Sequence, residues 1–411
     1  MNAEVVAIGD ELLIGQVVNT NASWLGARLS DAGITLRQVT TVGDDREDIA
    51  REVRAAMQRS DLVIVSGGLG PTHDDVTKEA VAGLFGAELE FHEDLFEALR
   101  ARFERAGLKM SPSNRTQAEV PKGFRVLPNR WGSAPGLLRE GDSLLVLLPG
   151  VPRELKGLVE EQLLPLVAHR TDLLAAERKT LLTTGIAESA LHDRIGDLGD
   201  WVAAGCALAY LPSIHGVRMR LTATNSDPAA AGATLERFER FVRAKAGRHV
   251  YGEGEELLEE VVGRLLMTRR WSVATAESCT GGLVASRFTD VPGSSRYVRG
   301  AVVAYSNDVK RSQLGVRAST LRTHGAVSRE AVQEMAEGVR SALDADVGIA
   351  TSGVMGPGGG TDEKPVGTVW MAVSTPDGER SLKLALRHDR VDNKARTATA
   401  ALDLLRRVLE K

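Results

Sequence analysis

Short runs of β-branched and aliphatic residues recur at both ends of this chain, each closed by a glycine-bearing turn and followed by an amphipathic stretch. This alternation constrains the fold more than any other feature. Strands that read as continuous apolar runs need helices on both faces of their sheet. In the first part, Glu4–Ile8, Thr35–Val42, Asp61–Ser66 and Ser143–Leu148 read as strands. Asn21–Ala32, Asp45–Arg59, Thr77–Phe85 and Asp94–Ala106 read as helices. A doubly wound, mostly parallel α/β sheet is expected over residues 1–170, with ligands beyond the C-terminal strand ends. Those ends carry Gly9-Asp10-Glu11, Ser66–Asp75 and Pro149–Glu154.

Residues 171–251 read differently. Arg178–Thr184 is a predicted strand, Ala187–Leu198 a helix, and Ala207–Leu211 with Val217–Thr224 a hairpin. Asp227–Ala246 then reads as a helix and His249–Tyr251 as a closing strand. The order β-α-β-β-α-β is that of a small split-βαβ α+β module. Its loops gather no acids, bases or nucleophiles, so it reads as a connector. From residue 252 to 411 the α/β pattern returns. Ser272–Ala276, Gly300–Tyr305, Val347–Ser352 and Gly367–Ser374 are predicted strands. Glu255–Thr268, Gly282–Thr289, Asn307–Leu314, Ser328–Leu343 and Val391–Leu409 are predicted helices.

Composition bounds the function classes. At 411 residues the chain has room for two or three domains at roughly 150 residues each. A net charge of −4 gives no basic field for nucleic acid or anionic membrane. The opening residues MNAEVVAIGDELL carry an acidic pair and no cationic run, which is not a signal-peptide pattern. The longest apolar run, Leu144–Leu148, is strand-sized. Cys206 and Cys279 are the only cysteines, too few for a disulfide framework, and a cytoplasmic location with both reduced is expected.

In the first part, Ser66-Gly67-Gly68-Leu69-Gly70 lets backbone approach an oxygen-rich ligand, with Thr72 and the carboxylates of Asp74 and Asp75 beside it. Glycine-rich backbone with hard oxygen donors suits a Mg²⁺–phosphate compound. The same Asp74-Asp75 pair also reads as a helix N-cap, and spacing alone leaves the two open.

In the last part, Val273–Gly282 (VATAESCTGG) offers a hydroxyl and a thiol at a strand-to-helix turn, where free amides and the helix dipole favour negative charge. Ser278 and Cys279 compete for the role of nucleophile. The candidate base for a serine is Lys310, with Tyr305 at the end of the preceding strand. A third turn, Thr351–Thr361, supplies Ser352, Gly353, Gly356 and Gly358, and Arg390 could clamp a phosphate bidentately. Together these suggest hydrolysis of an amide carried on a phosphorylated small molecule.

These segments resemble the CinA family over essentially the whole chain. Ile8–Leu13 with Gly15 and Asn19-Thr20-Asn21, Ser66–Asp75 and Leu148–Glu154 are similar to its molybdopterin-binding-like amino-terminal domain. Ala276–Gly282, Ala304–Lys310, Ser352–Gly360 and Lys364–Thr368 resemble its carboxy-terminal amidohydrolase domain. The resemblance implies hydrolysis of nicotinamide mononucleotide (NMN) to nicotinate mononucleotide and ammonia, with no cofactor at that site. It also implies cleavage of ADP-ribose to AMP and ribose 5-phosphate, with a divalent metal such as Mg²⁺ and with potassium as a second ion to consider. A homodimer is the expected assembly. On the residues, Ser278 would attack, Lys310 with Tyr305 would move the proton, and amides at Thr280, Gly281 and Gly282 would hold the oxyanion. Ser352 and the glycines of the third turn would hold the nucleotide, and Arg390 its phosphate. Asp10, Asp74 and Asp75 would lie near metal and diphosphate, with Asn19 and the 67–70 backbone positioning the substrate. The competing readings are a nucleotide- or pterin-binding module without turnover, a recruiting factor in DNA uptake, and a thiol hydrolase using Cys279.

Overall fold

The computed structural model describes residues 1–168 and 175–410. They divide into two compact units, residues 1–176 with 224–228, and residues 177–223 with 229–411. The expected boundary at residue 170 lies outside the described residues.

The first unit is built on strands β1 (Asn2–Ile8), β2 (Thr35–Val42), β3 (Leu62–Ser66), β4 (Leu89–Phe91), β5 (Glu119–Pro121), β6 (Arg125–Leu127), β7 (Gly136–Arg139) and β8 (Leu144–Leu148). Six of them form one sheet in the order β2-β1-β3-β8-β7-β6. The pairs β1–β2, β1–β3 and β3–β8 are parallel, while β6–β7 and β7–β8 are antiparallel. All five residues of both β3 and β8 are buried, as expected of strands covered on both faces. Two apolar layers do the covering. One centres on Leu25, Leu29 and Leu155 and the other on Ile49, Val53 and Val81. Strands β4 to β7 escape sequence reading because runs of three or four residues show no period.

The chain passes from β1 to β2 on one side and to β3 on the other, so the sheet changes direction between β1 and β3. Ligand crevices form at such switch points. The backbone closes tightly there. Gly67 has φ +114, and a Cβ on it would stand 2.3 Å from the Ile8 carbonyl oxygen, so only glycine fits.

The connector strands are β9 (Ala175–Thr183), β10 (Cys206–Ser213), β11 (Gly216–Asn225) and β12 (Val250–Glu253), in the order β10-β11-β9-β12, and all but the first two residues of β9 and the last two of β11 belong to the second unit. Its predicted order of elements is present, with one further short helix at Gly199–Ala203. The unit continues with β13 (Val273–Glu277), β14 (Val298–Val303), β15 (Val347–Gly353), β16 (Thr368–Thr375) and β17 (Gly378–Ala385), ordered β14-β13-β15-β16-β17. Strands β14, β13 and β15 are parallel, and β16 and β17 return antiparallel. The edge strand β17 was not expected. Its Glu379, Arg380 and Lys383 give it the polar reading of a loop, and charge on an edge strand also discourages further strand pairing.

The C-terminal helix Arg390–Leu409 binds the connector to this sheet. Its buried Arg406 donates to Asp403 (2.7 Å), Glu410 (2.8 Å) and the Arg248 carbonyl (2.7 Å). A buried guanidinium is tolerated only when paired in this way. Here too the sheet reverses, between β13 and β15, and Ser278 follows β13 directly at that crevice. Among the described residues no helix is long and apolar enough to cross a membrane.

Candidate active sites

Ser278 is fixed from both sides. Its amide donates to the Thr351 carbonyl of β15 at 2.9 Å. The turn that follows needs two left-handed residues, Gly281 (φ +65) and Gly282 (φ +99), before the helix Leu283–Thr289 begins. Glu277, 1% exposed, governs this helix start. Its carboxylate accepts from the amides of Gly282 (2.9 Å), Val284 (3.1 Å) and Ala285 (2.8 Å), and from the Thr275 hydroxyl (3.2 Å). The expected oxyanion role of Gly282 therefore meets a physical obstacle, since an internal carboxylate already holds that amide. The amides of Thr280 and Gly281 donate to no protein acceptor among the described residues. Thr280 itself is buried, its hydroxyl 2.7 Å from that of Thr351.

Lys310 sits in the first turn of the helix Asn307–Leu314, whose N-cap Ser306 accepts from the Val309 amide. Its Nζ lies 3.0 Å from Ser278 Oγ, 2.7 Å from the Ala304 carbonyl and 3.2 Å from the Tyr305 carbonyl. The side chain is 1% exposed, and burial pushes its pKa down from the ordinary value of 10.5. A neutral amine has two N–H bonds and one lone pair. As an ammonium Lys310 donates to Ser278 Oγ and both carbonyls; as a neutral amine it would keep the two carbonyl contacts and turn its lone pair to the Ser278 hydroxyl proton. Such an arrangement activates a serine without a histidine.

Cys279 stands next in sequence but in a different environment. Burial pushes its thiol up to about 12 against the opposing hydrogen bond with Thr351, so at neutral pH no thiolate is present to attack.

The Tyr305 hydroxyl does not reach Lys310. The ring is 65% exposed, and its Oη accepts from Arg390 Nη2 at 3.1 Å. Tyr305 serves the lysine through its backbone carbonyl instead. Arg390 also donates to the Gly356 carbonyl at 2.8 Å, joining the third turn to the strand-end tyrosine. The Ser352 hydroxyl is turned to the Ala326 carbonyl (2.8 Å) and is buried. A Cβ on Gly353 would stand 2.9 Å from the Thr368 carbonyl oxygen, and one on Gly356 (φ +89) 2.7 Å from Val366. Gly358 is exposed, with open space around it. Asn393, which sequence reasoning missed, fixes this turn by donating to the carbonyls of Met355 (3.2 Å) and His388 (2.8 Å). Its place one helical turn after Arg390 was the available signal.

In the first unit a cavity of about 450 Å³ lies over the switch point, lined by Gly67, Gly68, Gly70 and Thr72 with the carboxylates of Glu11, Asp44, Asp74, Asp75 and Glu154. The expected metal trio does not converge there. Asp10 is not in the lining, and its Oδ1 accepts from the Asp44 amide at 3.3 Å. Asp75 is engaged in its own turn, accepting from the Thr72 amide (2.9 Å) and hydroxyl (2.5 Å). Among the described residues no three side chains close on one ion position. Asn19 lies outside the lining too, as the N-cap of the helix Thr20–Asp31, accepting from the Ala22 amide at 2.9 Å.

Asp44 takes a place that sequence reasoning did not give it. Burial pushes its pKa up, and the neighbouring charges of Asp10, Glu11 and Asp74 push it further, against a hydrogen bond from the Asp10 amide. Apart from His73, whose Nε2 stands 2.9 Å from Asp74 Oδ1, no cationic side chain among the described residues faces these carboxylates, and a bound cation would ease their repulsion. Mg²⁺ commonly takes one or two carboxylates and fills its sphere with phosphate oxygens and water. Asp44 and Asp74 fit that donor set.

Three family models match the chain in succession. The family model described as "Probable molybdopterin binding domain" matches residues 4–169, "Damage-inducible protein CinA KH domain" matches 178–252, and "CinA C-terminal domain" matches 255–409. The "CinA-like protein" of Salinibacter ruber is 44% identical over 411 residues, covering 100% of both chains. That of Gemmatimonas aurantiaca is 44% identical over 416 residues, covering 100% of this chain and 97% of its own. Among solved structures, a competence/damage inducible protein from Agrobacterium tumefaciens is 39% identical, spanning 38% of this chain and 96% of its own with a TM-score of 0.36. By full-length identity and by three family matches in order, the chain belongs to the CinA family.

Proposed function

We propose that the chain is a bifunctional hydrolase of pyridine-nucleotide metabolism. At Ser278 it hydrolyses the carboxamide of NMN, and at the first-unit cavity it cleaves the diphosphate of ADP-ribose. The 3.0 Å approach of Lys310 Nζ to Ser278 Oγ carries the first assignment. Ser278 Oγ bonds to the carboxamide carbon while Lys310 takes its proton. Lys310 then returns that proton to the departing nitrogen, which leaves as ammonia. Water attacks the resulting ester by the same exchange, releasing nicotinate mononucleotide and restoring the serine. The amides of Thr280 and Gly281 are the free donors available to the oxyanion. Replacing Cys279 with Ala should leave ammonia release within about twofold of the parent, since the thiol stays protonated. An initial-rate assay checks this, and an inactive but folded variant would favour the thiol mechanism.

For the first unit, Asp44 and Asp74 would hold the divalent ion, whose charge would neutralise the diphosphate. The backbone at 67–70 would orient the ligand. The full chain should convert ADP-ribose to AMP and ribose 5-phosphate only with divalent ion, products being identified by mass. Asp44→Asn with Asp74→Asn should lower that rate about 100-fold or more, while ammonia release from NMN stays within about twofold. Unchanged ADP-ribose cleavage in the double variant would overturn the assignment. Because the carboxylates do not close on one ion position, a binding module without turnover is the second reading. It predicts metal-dependent ADP-ribose binding with no products.

A further inference from the structure

Lys394 lies one helical turn beyond Arg390 on the C-terminal helix, so the two cations share a face of that helix. Its Nζ stands 3.6 Å from where a Cβ on Gly281 would lie, beside the turn that presents Ser278. The two cations differ in their engagements. Arg390 is held by the Gly356 carbonyl and the Tyr305 hydroxyl. Lys394 makes no hydrogen bond or ion pair among the described residues and is half-buried. At the turn itself, the carboxylate of Glu277 occupies the helix-terminal amides and sets a negative charge against the helix dipole. The helix start therefore offers little attraction to a second anion, and the positive charge beside the turn comes from Lys394.

We propose that Lys394 binds the phosphate of the substrate and so makes the Ser278 site selective for a phosphorylated carboxamide over its dephosphorylated counterpart. This rests on the amidase reading and departs from the expectation that Arg390 is the phosphate clamp. Arg390 instead braces the third turn against Tyr305. An ammonium on a flexible stem suits a phosphate as a point charge, whereas both terminal nitrogens of the Arg390 guanidinium already donate to Gly356 and Tyr305.

The test uses the full chain carrying Ser278→Ala, titrated by calorimetry with NMN and with nicotinamide riboside, with and without Lys394→Ala or Lys394→Arg. Loss of one charge-assisted contact should weaken NMN binding roughly 10- to 100-fold in Lys394→Ala. Riboside binding should change by less than about twofold, and Lys394→Arg should recover most of the NMN affinity. Steady-state kinetics with Ser278 intact should show the same change in KM for NMN, with kcat within about threefold. Equal weakening toward both ligands, or no weakening toward either, would overturn the proposal. Binding of neither ligand by the Ser278→Ala parent would also overturn it. Phosphate-dependent binding that responds to Lys394 in a chain releasing no ammonia would retain the subsite and refute the amidase reading, so the two failures are distinct.

Discussion

Lys310→Met should lower ammonia release from NMN by about 10²- to 10⁴-fold, the contribution expected of a positioned general base, while the protein remains folded. The fold survives because methionine fills similar space and because removing a buried amine relieves its desolvation. Against that, the Ala304 and Tyr305 carbonyls lose their donor, a loss of about 1–3 kcal/mol for each buried acceptor left unmet. The same lysine gives the parent a pH signature. Its pKa is lowered by burial, so below that value the ammonium has no lone pair for Ser278, and kcat/KM falls as pH falls. Stability follows the same sign. Between the lowered folded value and the unfolded value near 10.5, the unfolded chain binds more protons, so stability rises with pH across that window. Lys310→Met removes this contribution. A pH–rate profile and melting curves across pH read both effects, and a variant with the parent's acid limb would contradict the role.

Glu277→Ala has the largest expected effect on stability. The carboxylate is buried and meets four donors, three of them amides at the start of the Leu283–Thr289 helix. Removing it leaves one buried and two part-buried amides without their acceptor, at about 3–5 kcal/mol in total. For a unit of this size the melting temperature should fall on the order of 10 °C. Glu277→Gln keeps one acceptor oxygen and should lose about a third to a half as much. Thermal unfolding by circular dichroism separates the two, and equal melting temperatures for Glu277→Ala and the parent would show that the amides find other partners. Because Ser278 follows immediately, ammonia release should fall with the helix start in Glu277→Ala.

The elements legible in the sequence are those with local signals. Thr35–Val42, Thr77–Phe85 and Asn307–Leu314 span the expected residues. Asp45, Ser306 and Ser328 each cap a helix where the pattern places its start. Illegible elements lacked such signals. The strands β6 and β7 are too short for a period, and β17 carries its charges on an edge. The same division runs through the sites. Ser278 and Lys310 could be singled out as a pair because each follows a strand end, and the parallel pairing of β13 with β14 brings those ends together. Partners set by long-range packing could not be read. Glu277 looks like an ordinary strand residue, although the helix it caps is only a few positions away. Asp44 stands just past the end of β2, a strand-end position of the kind that carried Asp10 and Asp74, and only the fold shows that it faces their charges. The position of Tyr305 was legible, but the direction of its hydroxyl was not.

The most direct test of a serine–lysine amidase is a rapid quench of the full chain with NMN, followed by peptide mapping by mass. A substrate-derived acyl group on the oxygen of Ser278, absent from Ser278→Ala and formed without divalent ion, is the predicted result. The same adduct on Cys279, or ammonia release that persists in Ser278→Ala, would contradict the account.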